Sequence, residues 1–209
     1  MITTYTELQE AVASWLNRTD LSSRIPDFIA NAEARLNKRV RHRDMETSSA
    51  VTFDADGEAS LPTGYVEARM LEVDTTPKVR PEFVEPDSSE FLFRFRPFSV
   101  PQYFTVFADT LKVQPAQNVT GTFSYFEKIP ALTDAAPGNW LLTRSPEAYL
   151  YASLVEAATF LRDNEALQTY ATLLEAAVSE LLDDGRKRRL SREAAPQIPP
   201  SQTTQEQLR

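Results

Sequence analysis

Cysteine is absent from this 209-residue chain, and histidine occurs once, at His42. The first absence excludes disulfides, thiolate metal ligands and a cysteine nucleophile, so packing or association must hold the fold. The second excludes a histidine-rich metal centre and any relay that needs two imidazoles. Glycine is scarce as well. The five residues 57, 64, 121, 138 and 185 are scattered, and none opens the glycine-rich turn that cradles a phosphate. Ser/His/Asp catalysis would have to use His42, and no nucleophile elbow surrounds it. No apolar run approaches the roughly 18 residues of a membrane-spanning helix. The first residues lack the basic and apolar regions of a signal peptide, so a cytosolic origin without a membrane partner is expected. No catalytic residue, metal or cofactor is expected.

What is present suits a globular chain. Hydrophobic residues make up 42% and charged residues 25%, and 209 residues suffice for one domain or one domain with an insertion. The net charge of −8 disfavours general nucleic-acid binding, and its distribution says more than its sum. Residues 1–44 carry +1, 45–143 carry −7, 144–190 carry −2 and 191–209 carry 0.

Thr4 with Glu7 forms a capping box, and Leu8, Val12, Trp15 and Leu16 follow at helical spacing, which predicts a helix ending near Asn17. A second helix is expected from about Arg24 to Val40, with Pro26 tolerated in its first turn and Ile25, Phe28, Ile29, Ala32, Leu36 and Val40 inward. The short connection predicts an antiparallel pair. Helical period then disappears, and nine of the fourteen prolines fall between Pro62 and Pro137. Strands are expected at 51–53, 103–107, 111–113 and 120–126, with hairpin turns at 54–57 and at Asp109-Thr110. Phe91, Phe93 and Phe95 alternate with Leu92, Arg94 and Arg96, as in a half-buried strand, and the prolines at 77, 81, 86, 97 and 101 favour sheet edges.

Helix returns at Ser145-Pro146-Glu147, an N-cap, a first-turn proline and an early acid. Leu150, Leu154, Ala157, Ala158 and Leu161 line one face of that helix. A last helix is expected from about Glu165 to Asp184, with Leu167, Tyr170, Leu174, Ala177 and Leu181 inward and Gly185 as its C-terminal cap. The fold class is therefore α+β. An antiparallel helical body of four main helices, in N-terminal and C-terminal pairs (1–44 and 144–190), carries an inserted antiparallel β region at 45–143 and an extended tail at 191–209. The tail has three prolines, four glutamines and only Ile198 and Leu208 as large apolar side chains. Alone it cannot bury enough surface to offset its ordering entropy, so contact with an assembly partner is expected.

Two basic clusters are the best candidate binding features: Arg39, Arg41 and Arg43 in one, Arg186, Lys187, Arg188 and Arg189 in the other. They suit DNA phosphates or an acidic partner surface, and equally well cations that complement helix C-termini at about 0.3–1 kcal/mol each. His42 lies inside the first cluster and reads as a surface residue at a helix end. Asp54, Asp56 and Glu58 read as an acidic turn, being too closely spaced for a twelve-residue calcium loop. A carboxylate pair assembled across space stays open. Trp15 and Trp140 read as core or interface packing.

Three stretches carry a resemblance: Phe28-Ile-Ala-Asn-Ala-Glu-Ala-Arg-Leu-Asn-Lys-Arg-Val-Arg-His-Arg-Asp-Met45, then Ser60-Leu-Pro-Thr-Gly-Tyr65, then Leu111-Lys-Val-Gln-Pro115 through Tyr125-Phe-Glu-Lys-Ile-Pro-Ala-Leu132 and Asn139-Trp-Leu-Leu142 to Tyr149-Leu-Tyr151. In this order they resemble the phage head-to-tail adaptor family, whose members include the tail tubular protein A type of short-tailed phages. The resemblance implies a structural virion protein, made in the host cytoplasm and located in the neck. It implies a homo-oligomeric ring, commonly of twelve copies, between portal protein and tail nozzle protein, with DNA passing through and no sequence-specific binding. It also implies a C-terminal segment that reaches the portal, which would place Arg192, Gln197, Ile198, Pro199, Pro200, Leu208 and Arg209 there. Basic groups facing such a channel would hold phosphates and acidic ones would repel them. Part of the acidic insertion is therefore expected at the channel or nozzle, and the basic helix ends at neighbouring subunits. The alternatives are a phage-encoded nucleic-acid-binding or regulatory protein using the basic clusters, and an enzyme using a carboxylate pair.

Overall fold

The computed structural model describes residues 1–92 and 99–193, with the side chains of the last helix as far as Lys187. The Thr4 hydroxyl accepts the Glu7 amide at 3.2 Å while the Glu7 carboxylate accepts the amides of Thr3 and Thr4, which closes the expected capping box. α1 (Tyr5–Leu16) follows and stops at Asn17, whose left-handed backbone lets its amide bond the Ser14 carbonyl. α2 (Ile25–Arg39) holds Pro26 in its first turn and buries Ile25, Phe28, Ile29, Ala32 and Leu36, one stripe at helical spacing.

Three helices close the described chain. α4 (Trp140–Arg144), absent from the sequence reading, is capped by Asn139, whose side-chain oxygen accepts the Leu142 amide at 2.9 Å. α5 (Pro146–Leu161) begins at Pro146 as expected, although the Ser145 side chain makes no capping bond. α6 spans Asn164–Glu193. The expected single inward face of α5 is corrected: Tyr149, Leu150, Ala152, Leu154, Val155 and Ala158 are all buried, while Leu161 is only partly so. The reason is position. α5 touches α1, α2, α4 and α6, and a surrounded helix needs apolar residues all round. α1 likewise meets α5 more extensively than α2, so the N-terminal helices each pack chiefly on α5.

Gly185 does not end α6, which continues through it to Glu193. The His42 ring presses on this turn: a Cβ at position 185 would lie 2.8 Å from His42 Cδ2 and 3.0 Å from Nε2. The glycine serves close approach, where the sequence suggested a cap.

The middle of the chain forms two sheets that face each other. One has the order β1 (Glu46–Thr52), β7 (Thr120–Glu127), β3 (Tyr65–Val73), antiparallel throughout, with bulges in β3. The other has the order β2 (Glu58–Ser60), β6 (Thr110–Gln114), β5 (Tyr103–Phe107), β4 (Glu82–Phe83). β4 runs parallel to β5, which corrects a wholly antiparallel region. Phe53, Leu71, Val73, Phe104, Leu111 and Phe123, drawn from both sheets and the segment after β1, make one core.

Four local expectations differ. The turn at 54–57 exists, with Asp54 Oδ1 accepting the amides of Asp56 and Glu58 at 3.0 and 2.9 Å, but it carries the chain from one sheet to the other instead of closing a hairpin. The second turn falls one residue early, on Ala108 and Asp109, with Ala108 at φ 51°. Residues 89–92 form a short helix, α3 (Ser89–Leu92), so Phe91 is not on a strand, and Phe93 and Phe95 lie outside the described residues. β2, β3 and β4 were unforeseen. Glu67, Ala68, Arg69, Met70 and Leu71 favour helix as a local sequence, and pairing with β7 overrides that preference.

A buried polar network ties the sheets to the helices. Leu132 donates its amide to Glu33 Oε1 at 2.7 Å, and the Tyr149 hydroxyl donates to the same oxygen at 3.2 Å. Asn139 Nδ2 donates to that hydroxyl and to the Pro130 carbonyl, each at 2.6 Å, and Ile129 donates its amide to Asn37 Oδ1 at 2.8 Å. Burial raises the pKa of Glu33, opposed by the Leu132 amide and the Tyr149 hydroxyl. The Tyr149 hydroxyl is also pushed upward, chiefly by burial. The segment after β7 is thus clipped onto α2 and α5.

Candidate functional site

His42 is the residue whose environment departs most from expectation. It is buried, at 1% exposure. α2 ends with Val40 in an extended conformation, which turns the chain inward, and the imidazole stacks on Trp140 with centroids 5.2 Å apart. Its Nδ1 accepts the Asp44 amide at 3.1 Å, so the neutral ring carries its proton on Nε2. His42 is therefore a spacer between α4 and α6, enclosed by Trp140 and Gly185 and presented to no substrate. The acids at 54–58 have structural partners too: Asp54 holds its own turn and Glu58 pairs with Lys112 at 2.6 Å. Among the described residues, no three histidine or carboxylate side chains gather as metal ligands do.

The two basic clusters converge. Arg39, Arg41 and Arg43, from the end of α2 and the turn after it, line one cleft of about 350 Å³ together with Arg186 of α6. Arg69 and Glu67 of β3 and Glu46 of β1 complete its charged wall, over Phe126, Leu182 and Gly185. Five arginines face two glutamates, a formal +3. Most are paired: Arg41 with Glu67 at 2.7 Å, Arg69 with Glu46 at 3.4 Å, Arg39 with Glu175 at 2.6 Å, and Arg186 with Asp183 at 3.4 Å. Arg43 has no ion pair among the described residues. The Glu175 carboxylate sits below its ordinary pKa because Arg39 bonds it, and Arg39 is correspondingly raised. Both side chains reach solvent, Glu175 for most of its surface, so the pair contributes little to stability. Arg69 also lies over the Phe126 ring, 5.3 Å from its centroid.

Arg186 and Lys187 are on α6, not beyond its end, so they do not act as terminal cations as the sequence suggested. Lys187 lines a different cavity from Arg186. Arg188, Arg189 and Arg192 fall on the final turns of α6, and their side chains lie outside the described residues, as do Gln197, Ile198, Pro199, Pro200, Leu208 and Arg209.

On the other side of α6 lies a groove of about 1320 Å³, bounded by α4 and the start of α5. Leu173, Ala176, Ala177 and Leu181 line it, and the two alanines keep it open. Trp140 and Tyr151 stand at its walls. Its charged residues are Asp44, Glu147, Glu180, Asp183 and Asp184 against Arg144 and Lys187, a formal −3. Arg144 bonds Asp44 and approaches Asp184 at 3.7 Å. Tyr151 continues the groove into an aromatic cluster: the half-exposed Trp15 meets Tyr151 and Tyr170 edge-on, with centroids 5.8 and 6.2 Å away. Sequence reasoning missed this groove because one of its walls is α4, which was unforeseen; the α6 wall lies within the expected helix except for Lys187. Glu67 and Arg69 were missed with β3, and Glu46 because β1 begins five residues before the expected strand at 51–53. The only available signal was the helical spacing that continues across Gly185.

No helix among the described residues is long and apolar enough to cross a membrane. A family model described as SU10 adaptor protein matches residues 3–199, nearly the whole chain. No curated protein matches it.

Proposed function

The chain belongs to the SU10 adaptor protein family, and from that premise we propose that this phage structural adaptor is one subunit of a ring that links the portal protein to the tail nozzle protein and gives passage to DNA. The tail tubular protein A type of short-tailed phages is the member type the resemblance favours, and twelve copies is the expected ring. The working place of the protein is then the virion neck, after synthesis in the host cytoplasm. The observation that carries this reading is the family match across 3–199, which spans the helices, both sheets and the first part of the tail.

The surfaces support the reading. Cavities of opposite sign flank one helix, and neither brings together a nucleophile, base and electrophile as a reaction centre would. The runner-up, a nucleic-acid-binding protein, would rest on the arginine cleft. There four of the five arginines already pair with carboxylates of the same chain, and the whole chain carries −8. A protein evolved for phosphates leaves such groups available. The sheet region carries most of the acidity, which suits a wall past which DNA slides or a surface that meets the nozzle. Beyond Glu193 the tail is the portal-binding segment in this proposal.

Co-sedimentation of the purified chain with its portal protein tests the proposal. A stable complex is expected. Absence of a complex, or DNA binding that falls steeply with salt in its place, overturns it.

A further inference from the structure

The two cavities share α6 as a common wall. Leu173, Ala177, Glu180, Asp184 and Lys187 line the groove, and their spacing of four, three, four and three residues makes one stripe along the helix. Leu182, Gly185 and Arg186 line the cleft, and at 3.6 residues per turn they lie roughly half a turn away. One rigid element therefore separates a −3 surface from a +3 surface.

We propose that the acidic groove between α4, α5 and α6 of one subunit receives the arginine rim of the basic cleft, Arg39, Arg43 and Arg186, of a second copy of this chain. This rests on the ring reading and names the contact that would build the ring. Groove and cleft lie on opposite sides of α6, so a twofold pair cannot bring each subunit's groove onto the other's cleft at once, and a twofold contact centred on either surface sets like charges together. A head-to-tail relation sets groove against cleft at every contact, and it is the relation that builds a ring when the repeated rotation closes. The groove also has the anatomy of a stable contact. Leu173, Ala176, Ala177 and Tyr151 supply apolar surface, Trp15 and Tyr170 extend it, and carboxylates form the rim. Arg43, without an ion pair among the described residues, gains its partner there, while the paired arginines steer the approach. A second copy suits this groove better than an unrelated cationic protein, because the chain itself carries a surface of equal and opposite formal charge.

The test uses two full-length variants and their mixture, assembled on the portal protein and followed by sedimentation velocity at low salt. The groove variant is Glu180→Lys with Asp183→Lys, and the cleft variant is Arg43→Glu with Arg186→Glu. All four positions are outside both apolar cores, and circular dichroism confirms that each variant is folded. Each variant alone should lose ring assembly by on the order of a hundredfold. An equimolar mixture should recover it, because in an alternating ring each reversed groove meets a reversed cleft and each unreversed groove meets an unreversed cleft. Rings formed by either variant alone as readily as by the wild type overturn the proposal, as does a mixture of folded variants that fails to recover. Both results leave the adaptor reading intact if the wild type forms rings. A wild type that forms none removes the adaptor reading, and this contact with it.

Discussion

Replacing Gly185 by alanine separates two accounts of why glycine stands there. In the interior of α6, alanine is intrinsically better than glycine by about 1 kcal/mol. Against that, the new methyl group would lie 2.8 Å from His42 Cδ2. The imidazole has no easy retreat, since it is buried and stacked on Trp140. Overpacking of this kind costs about 1–3 kcal/mol. The expected net effect of Gly185→Ala is thus a loss of about 1 kcal/mol, opposite in sign to the helix preference. Truncating the ring with His42→Ala removes the obstacle, so in that background Gly185→Ala should stabilise by about 1 kcal/mol. The two changes should couple by about 2 kcal/mol, within the range for residues in contact. Urea unfolding of the four proteins, followed by circular dichroism, measures each term. A stabilising Gly185→Ala in the wild-type background, with no coupling to position 42, would show that His42 does not dictate the glycine.

Two further outcomes follow from the structure. Glu33 has a raised pKa in the folded protein, so the folded state holds its proton more tightly and stability declines as pH rises from the ordinary glutamate range to the raised value. Glu33→Gln keeps an oxygen for the Leu132 amide and the Tyr149 hydroxyl but does not ionise, so its urea midpoint should lack that decline, and parallel curves for the two proteins would contradict the assignment. Removing residues 194–209 should leave the helical circular dichroism unchanged, since it spares every helix of the described residues, while abolishing retention on immobilised portal protein.

What was legible in the sequence was local. The capping box at Thr4 and Glu7, the stripe on α2 and Pro146 at the start of α5 depend on neighbours within one or two turns, and all appear where their patterns place them. What was illegible depends on distant partners. β3 looks helical until β7 is beside it, and α4 is a single turn fixed by Asn139, whose own partners include Pro130 and Tyr149. Gly185 reads as a stop signal unless His42, far away in the chain, is known to lean on it. The candidate surfaces followed the same rule. The arginines were visible as two runs, but not that they share a cleft, nor that α6 turns its other side to an acidic groove. Resemblance supplied the family, which no single motif carries.

Electron microscopy of the chain mixed with its portal protein decides whether it builds a neck ring. A closed ring of this chain is expected, coaxial with the portal and open along its axis. A chain that stays monomeric beside intact portals, or that joins them as scattered single copies without closing a ring, would contradict it.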